Sequence, residues 1–172
     1  MSHYTYGDSA LAAERLALIA MTFEPVSRAF IEEAAPRRPR LAVDLGCGPG
    51  DTTRLLSEVT GALKTVGLDS SASYISLAET SAPPHVDFKQ HDASVVPFPV
   101  STIDVVYARL LLAHLSDPIK HVGDWMKALS LRNRFDGGER QNDRPRVPAP
   151  NNFMSRRPPG SGTSSRTTFR LP

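Results

Sequence analysis

The chain has 172 residues, enough for one domain with a sizeable core and cramped for two. Its single cysteine, Cys47, excludes an internal disulfide and a cysteine-based metal centre, and it points to a reducing, cytoplasmic compartment. Twenty Lys and Arg stand against 18 Asp and Glu, but nine arginines and only three acids lie beyond residue 130, so a tail of +6 follows a body of −4 and a basic, nucleic-acid-seeking body is excluded.

Residues 1–38 read as an N-terminal helical segment. In "SALAAERLALIAMTFEPVSRAFIEEAAP", Leu11, Leu16, Ile19 and Phe23 recur at roughly helical spacing after Ser9, a fair cap, which predicts helices near 9–23 and 25–35. Asp8, Glu14 and Arg15 interrupt what would otherwise be the apolar region of a signal peptide. No apolar run reaches the ~18 uncharged residues of a membrane span, so neither export nor membrane insertion is expected. Tyr4 and Tyr6 either close over a ligand or are surface aromatics.

After the punctuation "PRRPR", four short β-rich apolar runs follow: "RLAVDLG", "KTVGLD", "VDFKQHDA" and "IDVVYARL". Helical patterns, "DTTRLLSEVTGA" and "SASYISLAETSA", separate the first three, and "SVVPFPVST" makes a shorter connection to the fourth. This alternation predicts an α/β fold with a parallel sheet covered on both faces. "SDPIKHVGDWMKALS" predicts a further helix, with Ser116 or Asp117 at its cap, Pro118 in its first turn and one apolar face of Ile119, Val122, Trp125, Met126 and Leu129.

The turn after the first strand, "LAVDLGCGPGDTT", carries Gly46, Gly48 and Gly50, where a ligand in an open α/β sheet approaches the backbone. The dinucleotide fingerprint G-x-G-x-x-G fails, because position 51 is Asp51 rather than glycine. A phosphate loop fails as well, since no Gly-Lys-Ser/Thr follows and Asp51 would meet the anion. Taken singly, each feature has a plain structural reading: a tight turn for the glycines, a cap or strand-end acid for Asp69 or Asp92.

Taken in order, the D-x-G-x-G-x-G run of Asp44, Gly46, Gly48 and Gly50, the strand-end Asp69 about 20 residues beyond the loop, and Asp92 with Ala93 after the third strand resemble the class I S-adenosylmethionine-dependent methyltransferases. The resemblance covers roughly residues 40–130. It implies a Rossmann-like sheet, a partial cofactor-binding core over 39–130 and S-adenosylmethionine as cofactor. Asp44 would hold the cofactor's amino-acid portion, with Cys47 in the loop that cradles it. Asp69, beside Ser70, would take both ribose hydroxyls. Asp92 and Ala93 would meet the adenine, and Ala108 and Arg109 the methionyl end. No catalytic residue and no metal follow from the resemblance, since methyl transfer from a sulfonium needs alignment more than a nucleophile. His114 lies in an apolar helical stretch that favours a structural role over that of a general base, and Cys47 reads as a packing residue.

A full sheet of this family has seven strands, and this chain supplies the first four. Beyond Ser130 the periodicity ends in an Arg/Pro-rich stretch without lysine, so residues 131–172 are expected to be disordered. The abrupt change reads as a truncated or out-of-frame end, and the missing strands are expected to lower stability and turnover. The expected partner is a small-molecule methyl acceptor. The alternatives are a non-catalytic relic that binds the cofactor weakly, and an RNA-associated protein using the basic tail as an electrostatic arm. Dispersed arginines and sparse aromatics argue against the latter.

Overall fold

The computed structural model describes residues 10–132. Ser9, Tyr4, Tyr6 and residues 133–172 of the tail expected to be disordered therefore lie outside the described residues, while Leu131 and Arg132, the first two of that tail, are helical and close the last helix. Within them, a long helix α1 (Ala10–Ala34) precedes β1 (Leu41–Leu45), α2 (Asp51–Thr60), β2 (Lys64–Asp69), α3 (Ala72–Glu79), β3 (Val86–Gln90), β4 (Val105–Ala108), a 3-10 turn (Leu111–His114) and α4 (Pro118–Arg132). The four strands are parallel in the order β3-β2-β1-β4. All four predicted strands and the helices between them are present, and the order places a topological switch between β1 and β4, where ligand crevices form.

Period-two alternation along β1 decides which side chain faces which helix layer. Val43 and Leu45 join Val66, Leu68, Phe98, Ile103 and Trp125 on one face, whereas Ala42 packs on the other with Ile31, Leu55, Leu56, Val59 and Tyr107. Asp44 shares the parity of Ala42, so its carboxylate enters the layer of α2, where Thr52 and Thr53 begin the helix. At the other end, Asp104 Oδ2 accepts from the amides of Arg40 and Leu41 at 2.7 and 3.2 Å, which fixes the start of β1 against β4.

Two expectations are corrected. The two N-terminal helices are one, running through Pro25. The carbonyl that Pro25 cannot serve is that of Met21, and because both residues are exposed, water can take the missing donor's place. Of the apolar positions that recur at helical spacing, Leu16 and Ile19 are half-buried, but Leu11 and Phe23 are exposed. The inner contacts come instead from Ala12, Ser27 and Ile31, helped by an Arg28–Glu58 bridge of 2.9 Å to α2.

The predicted face of α4 is also only partly used. Trp125 is buried and Leu129 packs against the core, while Ile119 is 85% exposed and Val122 and Met126 are exposed as well. Its cap is Asp117, whose Oδ1 accepts from the Lys120 amide at 3.0 Å. His114 lies in the 3-10 turn and is exposed, so the apolar residues around it do not bury it.

Candidate active site

The glycine turn leaves β1 at its carboxyl end and passes directly over the end of β2. The amides of Gly46 and Cys47 donate to the Leu68 carbonyl at 2.8 and 3.1 Å, and Gly48 N–H donates to Asp69 Oδ2 at 2.8 Å. Asp69 Oδ1 accepts from Ser71 N–H at 2.9 Å, so this one carboxylate clamps the loop and the start of α3 together. Gly48 and Gly50 both sit at positive φ, +52° and +92°. A Cβ on Gly48 would find only Leu16 Cδ1 at 3.6 Å, whereas one on Gly50 would fall 2.7 Å from Phe88 Cζ. Gly48 thus keeps the crevice open, and Gly50 lets the loop settle on β3.

Beside this loop lies a cavity of about 450 Å³, within the range of small-molecule sites. Gly46, Cys47 and Gly48 form its floor, Asp69 and Ser70 one wall, and Asp92 and Ala93 its far end. Arg109 closes the opposite end, where Leu110, held at φ 62°, turns the chain out of β4. Of the residues singled out from sequence, Asp44 and Gly50 sit behind the loop rather than on the cavity surface, and Ala108 packs against the core.

Asp44 is 1% exposed, and its Oδ2 accepts from the hydroxyls of Thr52 and Thr53 at 2.6 and 2.8 Å. Its Oδ1 is buried with no hydrogen-bond partner among the described residues. Burial pushes this carboxyl up from 3.8 to about 6, against the hydroxyl bonds and the charge of Arg109, which favour the ionised form. Asp69 is likewise pushed up by burial, opposed by its backbone amides. The Cys47 thiol is pushed up by burial and by both carboxylates, which disfavours a thiolate and suits a packing role.

At the far end, Asp92 Oδ1 takes both the amide and the hydroxyl of Ser94, at 2.8 and 2.7 Å. Its second oxygen and the Ala93 N–H have no hydrogen-bond partner among the described residues. Sequence reasoning missed Leu16 and Ile19 of α1, which roof the cavity, and His91 and His121, which line it. For Leu16 and Ile19 the helical spacing was a signal; their contact with a loop 30 residues away was not. His114 lines the rim. Among the described residues no group of three or more His, Cys, Asp and Glu could hold a metal.

Residues 42–130, just over half of the chain, match the family model described as a methyltransferase domain. The chain belongs to this family. It is a class I S-adenosylmethionine-dependent methyltransferase fold, as the order of acids and glycines implied. It is 35% identical over 92 residues to the trans-aconitate 2-methyltransferase of Rhodopseudomonas palustris (strain BisA53), covering 54% of this chain and 35% of that relative. To that of Azoarcus sp. (strain BH72) it is 39% identical over 75 residues, covering 44% of this chain and 29% of the relative. The chain thus spans about a third of the length of these curated relatives.

A solved S-adenosylmethionine-dependent methyltransferase from Mesorhizobium loti superposes with a TM-score of 0.51 at 28% identity, covering 61% of this chain and 47% of that one. The plantazolicin methyltransferase BpumL, solved with S-adenosylhomocysteine, shares the fold at 18% identity and a TM-score of 0.54, covering 67% of this chain and 46% of its own. The family's cofactor is S-adenosylmethionine, and the cavity's chemistry fits it. The molecule is a cation with an ammonium and a sulfonium, and it would meet the carboxylates of Asp69 and Asp92 and an open glycine floor, with the orphaned buried oxygen of Asp44 behind that floor.

Proposed function

We propose that this chain binds S-adenosylmethionine in the crevice between β1 and β4 and serves methyl transfer to a small-molecule acceptor. The observation that carries the reading is that Asp69 and Asp92 line one cavity floored by a glycine loop, with Asp44 buried behind that loop. Asp44 offers its unpartnered Oδ1 toward the cofactor's amino group from behind the loop. Asp69, already held by the amides of Gly48, Ser70 and Ser71, turns its remaining acceptor capacity to the ribose hydroxyls. Asp92 and the Ala93 amide receive the adenine edge.

The bound cofactor supplies a methyl group already activated on sulfur. The protein's share is alignment and exclusion of water, supplied by the rigid loop and by the half-buried Leu16 and Ile19 overhead. Arg109 is half-buried, forms no ion pair among the described residues, and makes one long hydrogen bond, 3.5 Å to Ser27 Oγ. That guanidinium suits an acidic acceptor, in keeping with relatives that act on trans-aconitate. A carboxylate acceptor loses no proton on methylation; an acceptor that does would find His114 at the rim.

Titration calorimetry of the full chain with S-adenosylhomocysteine tests the binding. Asp69→Ala removes both the ribose acceptor and the clamp on Gly48, and is expected to weaken binding at least ~100-fold. Wild-type binding that this variant retains would overturn the assignment. A second reading, binding without turnover, is favoured by β4, which among the described residues is paired on one side only. Transfer of labelled methyl to trans-aconitate or another organic acid decides against it.

A further inference from the structure

Trp125 links α4 to the far end of the cavity. Trp125 is 5% exposed, and its indole N–H donates to the Ala93 carbonyl at 2.7 Å across 32 positions of sequence. The peptide unit between Ala93 and Ser94 is therefore held at both ends. Its carbonyl is fixed by the indole, and its N–H by Asp92 Oδ1, which the Ser94 hydroxyl also engages. With Oδ1 committed, Asp92 is left with Oδ2 as an open acceptor, one residue from the open Ala93 N–H donor.

An acceptor beside a donor matches the edge of adenine, whose 6-amino group donates and whose N1 accepts. Hypoxanthine reverses both groups, presenting O6 to the carboxylate and N1–H to the amide. Discrimination requires that the pair be held rigidly, because a mobile loop would re-pair with either base.

We propose that Trp125 is a positioning residue for base selectivity, its indole N–H locking the Ala93–Ser94 peptide so that Asp92 and Ala93 accept adenine and reject hypoxanthine. The inference rests on the crevice being the cofactor site. It assigns a specificity role to a side chain that does not itself line the cavity.

The test compares S-adenosylhomocysteine with S-inosylhomocysteine by calorimetry on the full chain. The wild type is expected to prefer the adenosyl ligand ~100-fold, from two reversed hydrogen bonds. Trp125→Phe keeps the aromatic packing and loses the donor; it is expected to lower that preference ~10-fold, mainly by weakening the adenosyl ligand. Because the chain contains one tryptophan, biosynthetic replacement by its benzothienyl analogue deletes the N–H alone, and it is read in the same way if the phenylalanine variant does not fold. A preference unchanged in both, or equal weakening of both ligands, would reduce Trp125 to packing and overturn the proposal. A wild type that binds both ligands equally would also overturn it while leaving the crevice assignment standing. A wild type that binds neither would overturn that assignment and this inference together.

Discussion

The centre of the sheet and its β4 flank are built from the same strand-then-helix pattern, yet they differ in burial. Along β1 and β2 every residue after the first is buried, and α2 contributes seven buried side chains. In β4 only Tyr107 is buried, and among the described side chains of α4 only Trp125. The difference follows from neighbours. β1 and β2 each have a paired strand on both sides, while β4 is paired with β1 alone among the described residues. A strand's side chains are covered when adjacent strands bring helices over both of its faces, so the same amphipathic code yields a core in one place and a half-covered layer in the other.

Truncation at the centre separates the two regions most strongly. Leu56→Ala, at a site with no exposure, is expected to cost ~2–5 kcal/mol in urea unfolding, whereas Ile119→Ser on α4 should stay within ~0.5 kcal/mol. Equal effects would mean that the α4 face is covered in solution.

Gly50→Ala probes the seam between loop and centre. A methyl 2.7 Å from Phe88 Cζ, at φ +92°, is expected to cost about 2–3 kcal/mol by the same measurement. Gly48→Ala, with its nearest neighbour at 3.6 Å, should cost less and act mainly on ligand affinity.

A dependence on pH is expected as well. Asp44 titrates near 6 in the folded protein and near 3.8 in the unfolded chain, so between those values the native state binds more protons. Stability is therefore expected to fall as pH rises from about 4 to about 6. Asp44→Asn removes that dependence and should gain on the order of 1–3 kcal/mol at pH 7 while weakening S-adenosylhomocysteine. Asp69, raised in the same direction, remains in the variant, so the profile of melting temperature against pH should flatten without becoming level. A profile unchanged by the substitution would show that Asp44 is ionised across the whole range.

The strands, the glycine loop and two acids of the crevice, Asp69 and Asp92, were legible in the residues themselves, because short β-branched runs, clustered glycines and strand-end acids are local signals. Three features were not. His114 sits among leucines, and only the 3-10 turn following the left-handed Leu110 brings it to the rim. Asp69 reads as a ribose acceptor, but its clamp on Gly48 spans 21 positions and leaves no trace in either neighbourhood. Trp125 reads as one apolar residue among five on its helix, and its hydrogen bond to Ala93 is what sets it apart.

By itself, the sequence determined the α/β alternation, the place of the crevice and the chemistry of the residues around it, since each depends on spacing within about ten positions. Tertiary structure alone decided that Asp44 lies behind the loop while Asp69 lines the cavity, that Gly50 serves packing while Gly48 serves access, and that Trp125 is buried while Ile119 is exposed. The physical reason is that burial and pairing are properties of neighbours, and these neighbours are brought together by parallel strand crossovers that no local pattern specifies.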